Sequence, residues 1–98
     1  MKNFLSIDQG TTSSRSIIFD AYLNLVTDAQ EEYDLTYPED GWVELEPKKI
    51  VETVTNTLNK VVSADIGLEA CGITNQRETT IVWSKSTGEA IYPGIVWQ

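Results

Sequence analysis

A turn rich in hydroxyl groups separates two short apolar runs near the start of the chain, and this pattern restricts the fold most. The first run covers residues 4–8, the second covers residues 14–20, and the turn between them reads QGTTS. Each run has the length of a β-strand. Parallel strands would need a much longer connection than this turn provides. The two runs are therefore predicted to pair as an antiparallel hairpin.

The next part of the chain predicts a third strand, a loop and a helix. Residues 21–24 can turn the chain into a strand at residues 25–33, which completes an antiparallel three-strand meander. Residues 34–46 are predicted to be a loop with Trp42 and Val43 as apolar anchors. Pro47 suits a first helical position. An apolar stripe then follows at helical spacing: Ile50, Val51, Val54, Leu58, Val61 and Val62.

Further strands are predicted after the helix, so the fold class is α/β. Gly67 is expected to cap the helix exit. Strands are predicted at residues 70–74 and 79–84, followed by a turn at residues 86–88. A last extended piece covers residues 91–97 and is broken by Pro93 and Gly94. An apolar strand at the very end of a chain suggests a fragment of a longer protein.

Charge and cysteine content argue against several classes of protein. The chain has 15 acids, 7 bases and no histidine, a net charge of −8, which argues against binding to nucleic acid or to a membrane surface. Nine of the acids lie in residues 20–46, which contain no Lys or Arg. Cys71 is the only cysteine, which favours a reducing, cytoplasmic setting. No apolar run approaches the roughly 18 residues of a membrane span.

The turn and its flanks, DQGTTSSR at residues 8–15, carry groups that suit a phosphate. Gly10 allows a ligand to approach the backbone closely, and the hydroxyls and free N–H groups of the turn can hold phosphate oxygens. Asp8 can bind Mg²⁺ directly or through water, and Arg15 offers several donors to an anion. The segment matches neither a Walker A loop nor a Rossmann fingerprint. A hairpin turn without any ligand also fits these residues.

Two other segments are candidates for ligand contact. The segment GITNQRETT at residues 72–80 places Arg77, which donates hydrogen bonds, beside Glu78, which accepts them. Such a pair can recognise the hydroxyls of a polyol, although a solvated surface pair is the alternative. The segment GWVE at residues 41–44 places an aromatic side chain in a loop, where packing on its own domain is the usual role.

Together these segments resemble the FGGY carbohydrate kinase family, and within it the members that phosphorylate glycerol. The resemblance rests on four segments in the family's order: IDQGTTSSR at residues 7–15, GWVE followed by Pro47, GITNQRETT, and IVWQ at residues 95–98. Kinases of xylulose or gluconate typically differ at residues 75–78. The family belongs to the sugar-kinase, actin and hexokinase superfamily, so the resemblance implies the N-terminal portion of a ribonuclease-H-like domain.

The resemblance also implies roles for individual residues. Four residues of the hairpin would contact the phosphates of ATP: Thr11, Thr12, Ser13 and Arg15. Thr11 would lie nearest the transferred group. Asp8 would be the carboxylate associated with Mg²⁺. Arg77 and Glu78 would bind the hydroxyls of the substrate, glycerol.

The chain departs from the family pattern in two respects. Glu46 precedes Pro47 where the family usually has aspartate, and glutamate is a weaker N-cap, which leaves the helix start open. The family's catalytic base lies beyond Gln98. Residues 1–98 are therefore interpreted as an incomplete N-terminal kinase domain that is inactive alone and needs the remainder of the kinase chain or self-association. A kinase of another polyol or sugar and a non-catalytic, actin-like nucleotide-binding scaffold remain alternatives.

Overall fold

The computed structural model describes residues 2–75 and 79–96, and within them the chain forms seven strands and one helix. In chain order these elements are β1 (Asn3–Gln9), β2 (Ser13–Asp20), β3 (Leu25–Glu32), β4 (Glu44–Leu45), α1 (Pro47–Val61), β5 (Leu68–Thr74), β6 (Thr79–Thr80) and β7 (Gly94–Val96). The order of strands and helix confirms the α/β class.

A four-stranded sheet carries the hairpin identified in the sequence. Its strand order is β3-β2-β1-β5, and β1, β2 and β3 pair as the predicted antiparallel meander. β5 joins β1 in parallel after the chain has crossed over through α1. The crossover brings the carboxyl ends of β1 and β5 to the same edge of the sheet.

The helix covers β2 and β3 through a face that is partly polar. Thr53, Thr57 and Val61 are its buried residues, while Val54 and Leu58 pack against the core formed by Leu5, Ile7, Ile18 and Val61. The predicted apolar stripe is wrong at Val62, which is 42% exposed and caps the helix, and at Val51, which is 66% exposed. The reason is that threonine hydroxyls of α1 bond to serines of β2, which turns Val51 away from the sheet.

Both ends of α1 can be compared with the sequence prediction. Glu46 is the N-cap, its side chain accepts a hydrogen bond from the Lys48 N–H at 3.3 Å, and Pro47 is the first helical residue as predicted. The C-cap is Val62 in an extended conformation, so the exit needs no glycine and the prediction of Gly67 as a cap is wrong. No helix in residues 2–75 and 79–96 is long and apolar enough to cross a membrane.

A second, smaller sheet has the strand order β4-β7-β6, with both pairs antiparallel. Its core consists of Tyr33, Val43, Leu45 and Val96. Three predictions are corrected here: the loop at residues 34–46 contains β4, the strand at residues 79–84 is only two residues long, and Gly94 begins β7 instead of breaking it. A Cβ atom on Gly94 would lie 3.0 Å from Leu45 Cδ1, so glycine is needed for this strand to pack closely.

The turn between β2 and β3 is held by one carboxylate. Asp20 accepts hydrogen bonds from the backbone N–H groups of Tyr22 and Asn24, each at 2.9 Å. The backbone hydrogen bond to Asn24 is the main cause that lowers the pKa of Asp20. Leu23 has a positive φ of 65°, a conformation that is strained for leucine. The predicted turn at residues 21–24 is confirmed.

Candidate functional site

The turn that joins β1 to β2 is the hydroxyl-rich segment of the sequence. The Gly10 N–H closes it by donating to the Ser13 carbonyl at 2.9 Å. A Cβ atom at position 10 would lie 3.2 Å from that same oxygen, so a larger residue would force a shift. Gln9 and Ser14 form the last pair of the hairpin, which leaves residues 10–13 at its tip.

Groups that can hold an anion are present at this tip. Thr11 and Thr12 are exposed, and in the described ranges neither backbone N–H donates to a protein acceptor. The Ser13 hydroxyl accepts a hydrogen bond from Gln30 Nε2 at 3.0 Å and keeps its own hydrogen for another partner. Successive N–H groups and hydroxyls of this kind form anion-binding concavities. The three hydroxyl residues expected to contact phosphate therefore lie together.

A chain of side chains supports the tip from the protein side, and sequence reasoning missed it. The Tyr33 hydroxyl donates to the Gly10 carbonyl at 2.6 Å and accepts from Gln9 Nε2 at 3.0 Å. Gln9 Oε1 in turn accepts from the Ser14 hydroxyl at 2.7 Å, and Ser14 Oγ lies 2.7 Å from Thr53 Oγ1 of α1. The turn is thus connected to the helix through four side chains.

Asp8 lies at the carboxyl end of β1, beside the end of β5. Its Oδ1 accepts a hydrogen bond from the Thr74 hydroxyl at 2.9 Å, and its side chain is exposed. Ligands of open α/β sheets bind outside the carboxyl ends of the parallel strands. Among the described residues there is no cluster of three or more metal-ligating side chains. A single exposed carboxylate is a donor that Mg²⁺ commonly takes, with water and phosphate oxygens completing the shell, so the chemistry of the Asp8 side chain is compatible with this ion.

Arg15 pairs with Asp8 across the hairpin, on the same face of the sheet. Its Nε and Nη2 both donate to Asp28 Oδ2, at 3.0 and 2.8 Å. This ion pair is more than one third exposed, so it contributes little to stability. The remaining guanidinium hydrogens are available to an anion.

The two residues predicted to bind substrate, Arg77 and Glu78, lie outside the described residues. The strand that leads towards them, β5, ends at Thr74, which pairs with Asp8. Their role stays a prediction.

The third sequence motif, residues 41–44, belongs to the second sheet. Val43 is buried as predicted, whereas Trp42 is 53% exposed, so the prediction of two anchors is wrong for Trp42. The Trp42 N–H donates to the Glu39 carbonyl in a tight turn, and this turn presents the indole to solvent. Glu44 is buried, and a hydrogen bond with it is the main cause that raises the pKa of Tyr92.

The fold and the hairpin site define a class of protein. The chain matches the family model described as the FGGY family of carbohydrate kinases, N-terminal domain, over residues 3–98, and it belongs to that family. Its fold is therefore the ribonuclease-H-like fold of the actin and hexokinase superfamily, as expected from the sequence.

Particular relatives are glycerol kinases. The chain is 52% identical to a glycerol kinase of Alteromonas mediterranea and 50% identical to one of Escherichia coli, each over 99% of this chain and 20% of the relative. It thus spans about one fifth of the length of these curated relatives. Among solved structures it resembles Plasmodium falciparum glycerol kinase with ADP, with a TM-score of 0.93 and 34% identity over 99% of this chain and 20% of that one. A xylulose kinase from Rhodospirillum rubrum, with a TM-score of 0.88 and 20% identity over 96% of this chain and 20% of that one, shares the fold.

Proposed function

We propose that this chain is the N-terminal, phosphate-binding portion of an ATP-dependent glycerol kinase, which transfers the γ-phosphoryl group of ATP to glycerol and forms glycerol 3-phosphate. The observation that carries the proposal is the hairpin tip, where Thr11 and Thr12 are exposed and their backbone N–H groups donate to no acceptor within the described residues, just after Asp8 at the end of β1. The identity of about half to curated glycerol kinases supports the choice of substrate. A cytoplasmic setting is part of the proposal, since Cys71 is a single, exposed free thiol.

The proposed chemistry needs positioning and neutralisation of charge more than covalent participation. Thr11, Thr12 and Ser13 would hold phosphate oxygens through hydroxyl and backbone N–H groups. Arg15 would add a cationic donor to the phosphates, and Asp8 would hold Mg²⁺. Bound Mg²⁺ supplies positive charge that offsets the charge of the phosphates. The base that accepts the proton from glycerol would come from another part of the full-length kinase.

The remainder of the kinase chain is the partner that we propose for the open side of the first sheet. All seven residues of β5 are exposed, including Ile73 at 71%. An uncovered strand with apolar residues is prone to pair with another chain. We expect the isolated 98-residue chain to self-associate or to be unstable, and size-exclusion chromatography that shows a stable monomer would contradict this part of the proposal.

Substrate binding is tested by Arg77→Ala in the full-length protein. Loss of a donor to a glycerol hydroxyl is expected to cost about 1–3 kcal/mol, which raises the KM for glycerol by about five- to 150-fold. The KM for ATP should stay unchanged. Lys85→Ala, which removes an exposed cation from a turn, is the matched control. An unchanged KM for glycerol in Arg77→Ala would exclude this arginine as a substrate contact.

A substrate panel separates the proposed function from its alternatives. Full-length protein is incubated with ATP and with glycerol, xylulose or gluconate, and ADP formation is followed. Turnover with glycerol supports the proposal, and turnover with only another substrate indicates a different kinase of the family. Nucleotide binding without any turnover indicates a scaffold. The 98-residue chain alone is expected to phosphorylate nothing.

A further inference from the structure

Tyr33 contacts the hairpin turn at two places. It follows β3 directly, and its side chain is buried in the second core. Its backbone N–H donates to the Thr12 carbonyl at 2.9 Å, and its hydroxyl donates to the Gly10 carbonyl at 2.6 Å. One residue therefore binds the carbonyl groups on both sides of Thr11.

The orientation of these carbonyls determines where the N–H groups of the turn point. In a trans peptide the C=O of one residue and the N–H of the next lie in one plane and point in opposite directions, and the described residues contain no cis peptide. The Gly10 carbonyl shares its plane with the Thr11 N–H, and the Thr12 carbonyl shares its plane with the Ser13 N–H. With both carbonyls bound to Tyr33, these N–H groups point away from Tyr33.

The tyrosine hydroxyl is itself held in place. Gln9 Nε2 donates to it at 3.0 Å, and Gln9 is fixed by the Ser14 hydroxyl at 2.7 Å. Burial is the main cause that raises the pKa of Tyr33, so the hydroxyl keeps its proton at neutral pH and stays a donor. The interaction with the Gly10 carbonyl is therefore well defined in the folded protein.

We propose that Tyr33 is a positioning residue for nucleotide phosphate, which it serves by holding the turn at residues 10–13 so that the N–H groups of Thr11 and Ser13 are directed at the ligand. The inference rests on the proposed function. A turn that has lost this restraint would spend part of its time in orientations that do not bind phosphate. The apparent affinity falls in proportion to the competent fraction.

Tyr33→Phe in the full-length protein tests the proposal, because it removes the hydroxyl and keeps both the ring and the backbone contact to Thr12. A buried hydrogen bond of this kind corresponds to about a two- to tenfold change in an equilibrium. We expect the KM for ATP and the Kd for MgADP to rise by that factor, while the KM for glycerol stays unchanged. Tyr22→Phe, the same chemical change at a site that is 83% exposed, is the matched control.

Ser14→Ala is a second variant, which acts one step further from the turn. It frees the Gln9 amide and is expected to raise the KM for ATP in the same direction by a smaller factor. If Tyr33→Phe does not fold, the KM for ATP of Ser14→Ala decides whether Tyr33 has the positioning role.

The outcomes separate the inference from the proposed function. A rise in the KM for ATP alone, absent from Tyr22→Phe, supports the positioning role. A lower melting temperature with unchanged KM values would show that Tyr33 only stabilises the fold and would overturn the inference. A wild-type protein that binds neither ATP nor ADP would overturn the proposed function and the inference together.

Discussion

Thr57→Val is expected to loosen α1 from the sheet more than Ser16→Ala, although each change removes one hydroxyl of the same pair. The two hydroxyl oxygens lie 2.8 Å apart, and both side chains are fully buried. Thr57 Oγ1 donates to the Val54 carbonyl at 3.0 Å, so Ser16 must be the donor within the pair. In the described residues Thr57 is the one partner of the Ser16 hydroxyl.

The cost of each change follows from what it leaves behind. Ser16→Ala leaves Thr57 bonded to Val54 and is expected to cost about 0.5–1.5 kcal/mol, the net value of one hydrogen bond. Thr57→Val leaves the Ser16 hydroxyl buried without an acceptor and is expected to cost about 1–3 kcal/mol. The double variant leaves no unsatisfied group, so it should cost less than Thr57→Val alone.

Hydrogen exchange over α1, measured by mass spectrometry on the full-length protein, reads out this local stability without requiring two-state unfolding. The free energy of local opening should fall most in Thr57→Val and should partly recover when Ser16→Ala is added. If the free energy of local opening fell in the double variant by the sum of its decreases in the two single variants, the two hydroxyls would not be coupled and the reasoning would be wrong.

Three further predictions concern the turn between β2 and β3, the ion pair of Arg15 and the titration of Tyr33. Leu23→Asn should raise the free energy of unfolding by up to about 1 kcal/mol, because asparagine tolerates the positive φ better; urea titration measures this. Asp28→Ala should change stability by less than about 1 kcal/mol in the same assay, since its ion pair with Arg15 is partly exposed. The pKa of Tyr33 is raised in the folded protein, so the protonated hydroxyl contributes to the free energy of unfolding. This contribution is fully present below the unfolded pKa of about 10 and is lost as the pH rises through the folded pKa. Stability should therefore fall more steeply above pH 10 in wild type than in Tyr33→Phe, and equal slopes would show that Tyr33 does not titrate in that range.

The meander and the helix follow from the sequence because they depend on near neighbours. The apolar runs are joined by turns of a few residues, and Pro47 marks the helix start locally. The short strands β4, β6 and β7 are different, since each has two or three residues and pairs with a segment far away in the sequence. The sequence of two or three residues does not indicate which distant segment they pair with. For this reason the predictions of a break at Gly94 and of a strand over residues 79–84 were wrong.

The candidate site also combines residues that are neighbours in the sequence with contacts between distant segments. The tip consists of consecutive residues, so the phosphate-binding character of Thr11, Thr12 and Ser13 can be proposed from spacing and composition. Its support is not local, because the contact from Tyr33 to Gly10 depends on how β3 pairs with β2. The buried serines of β2 are a signal of this support, but they are informative only once the threonines of α1 are known to face them.

Titration calorimetry of MgADP with the full-length protein tests most directly whether the hairpin tip binds nucleotide phosphate. Gly10→Ala would place a Cβ atom 3.2 Å from the Ser13 carbonyl oxygen, whereas Gly67→Ala meets no atom within 4 Å and is the matched control. We predict that wild type and Gly67→Ala bind MgADP with the same affinity and that Gly10→Ala binds it about five- to 150-fold more weakly, as expected for an overpacking cost of about 1–3 kcal/mol. Equal affinity in all three proteins, or no binding by wild type, would contradict the assignment of this turn as the phosphate site.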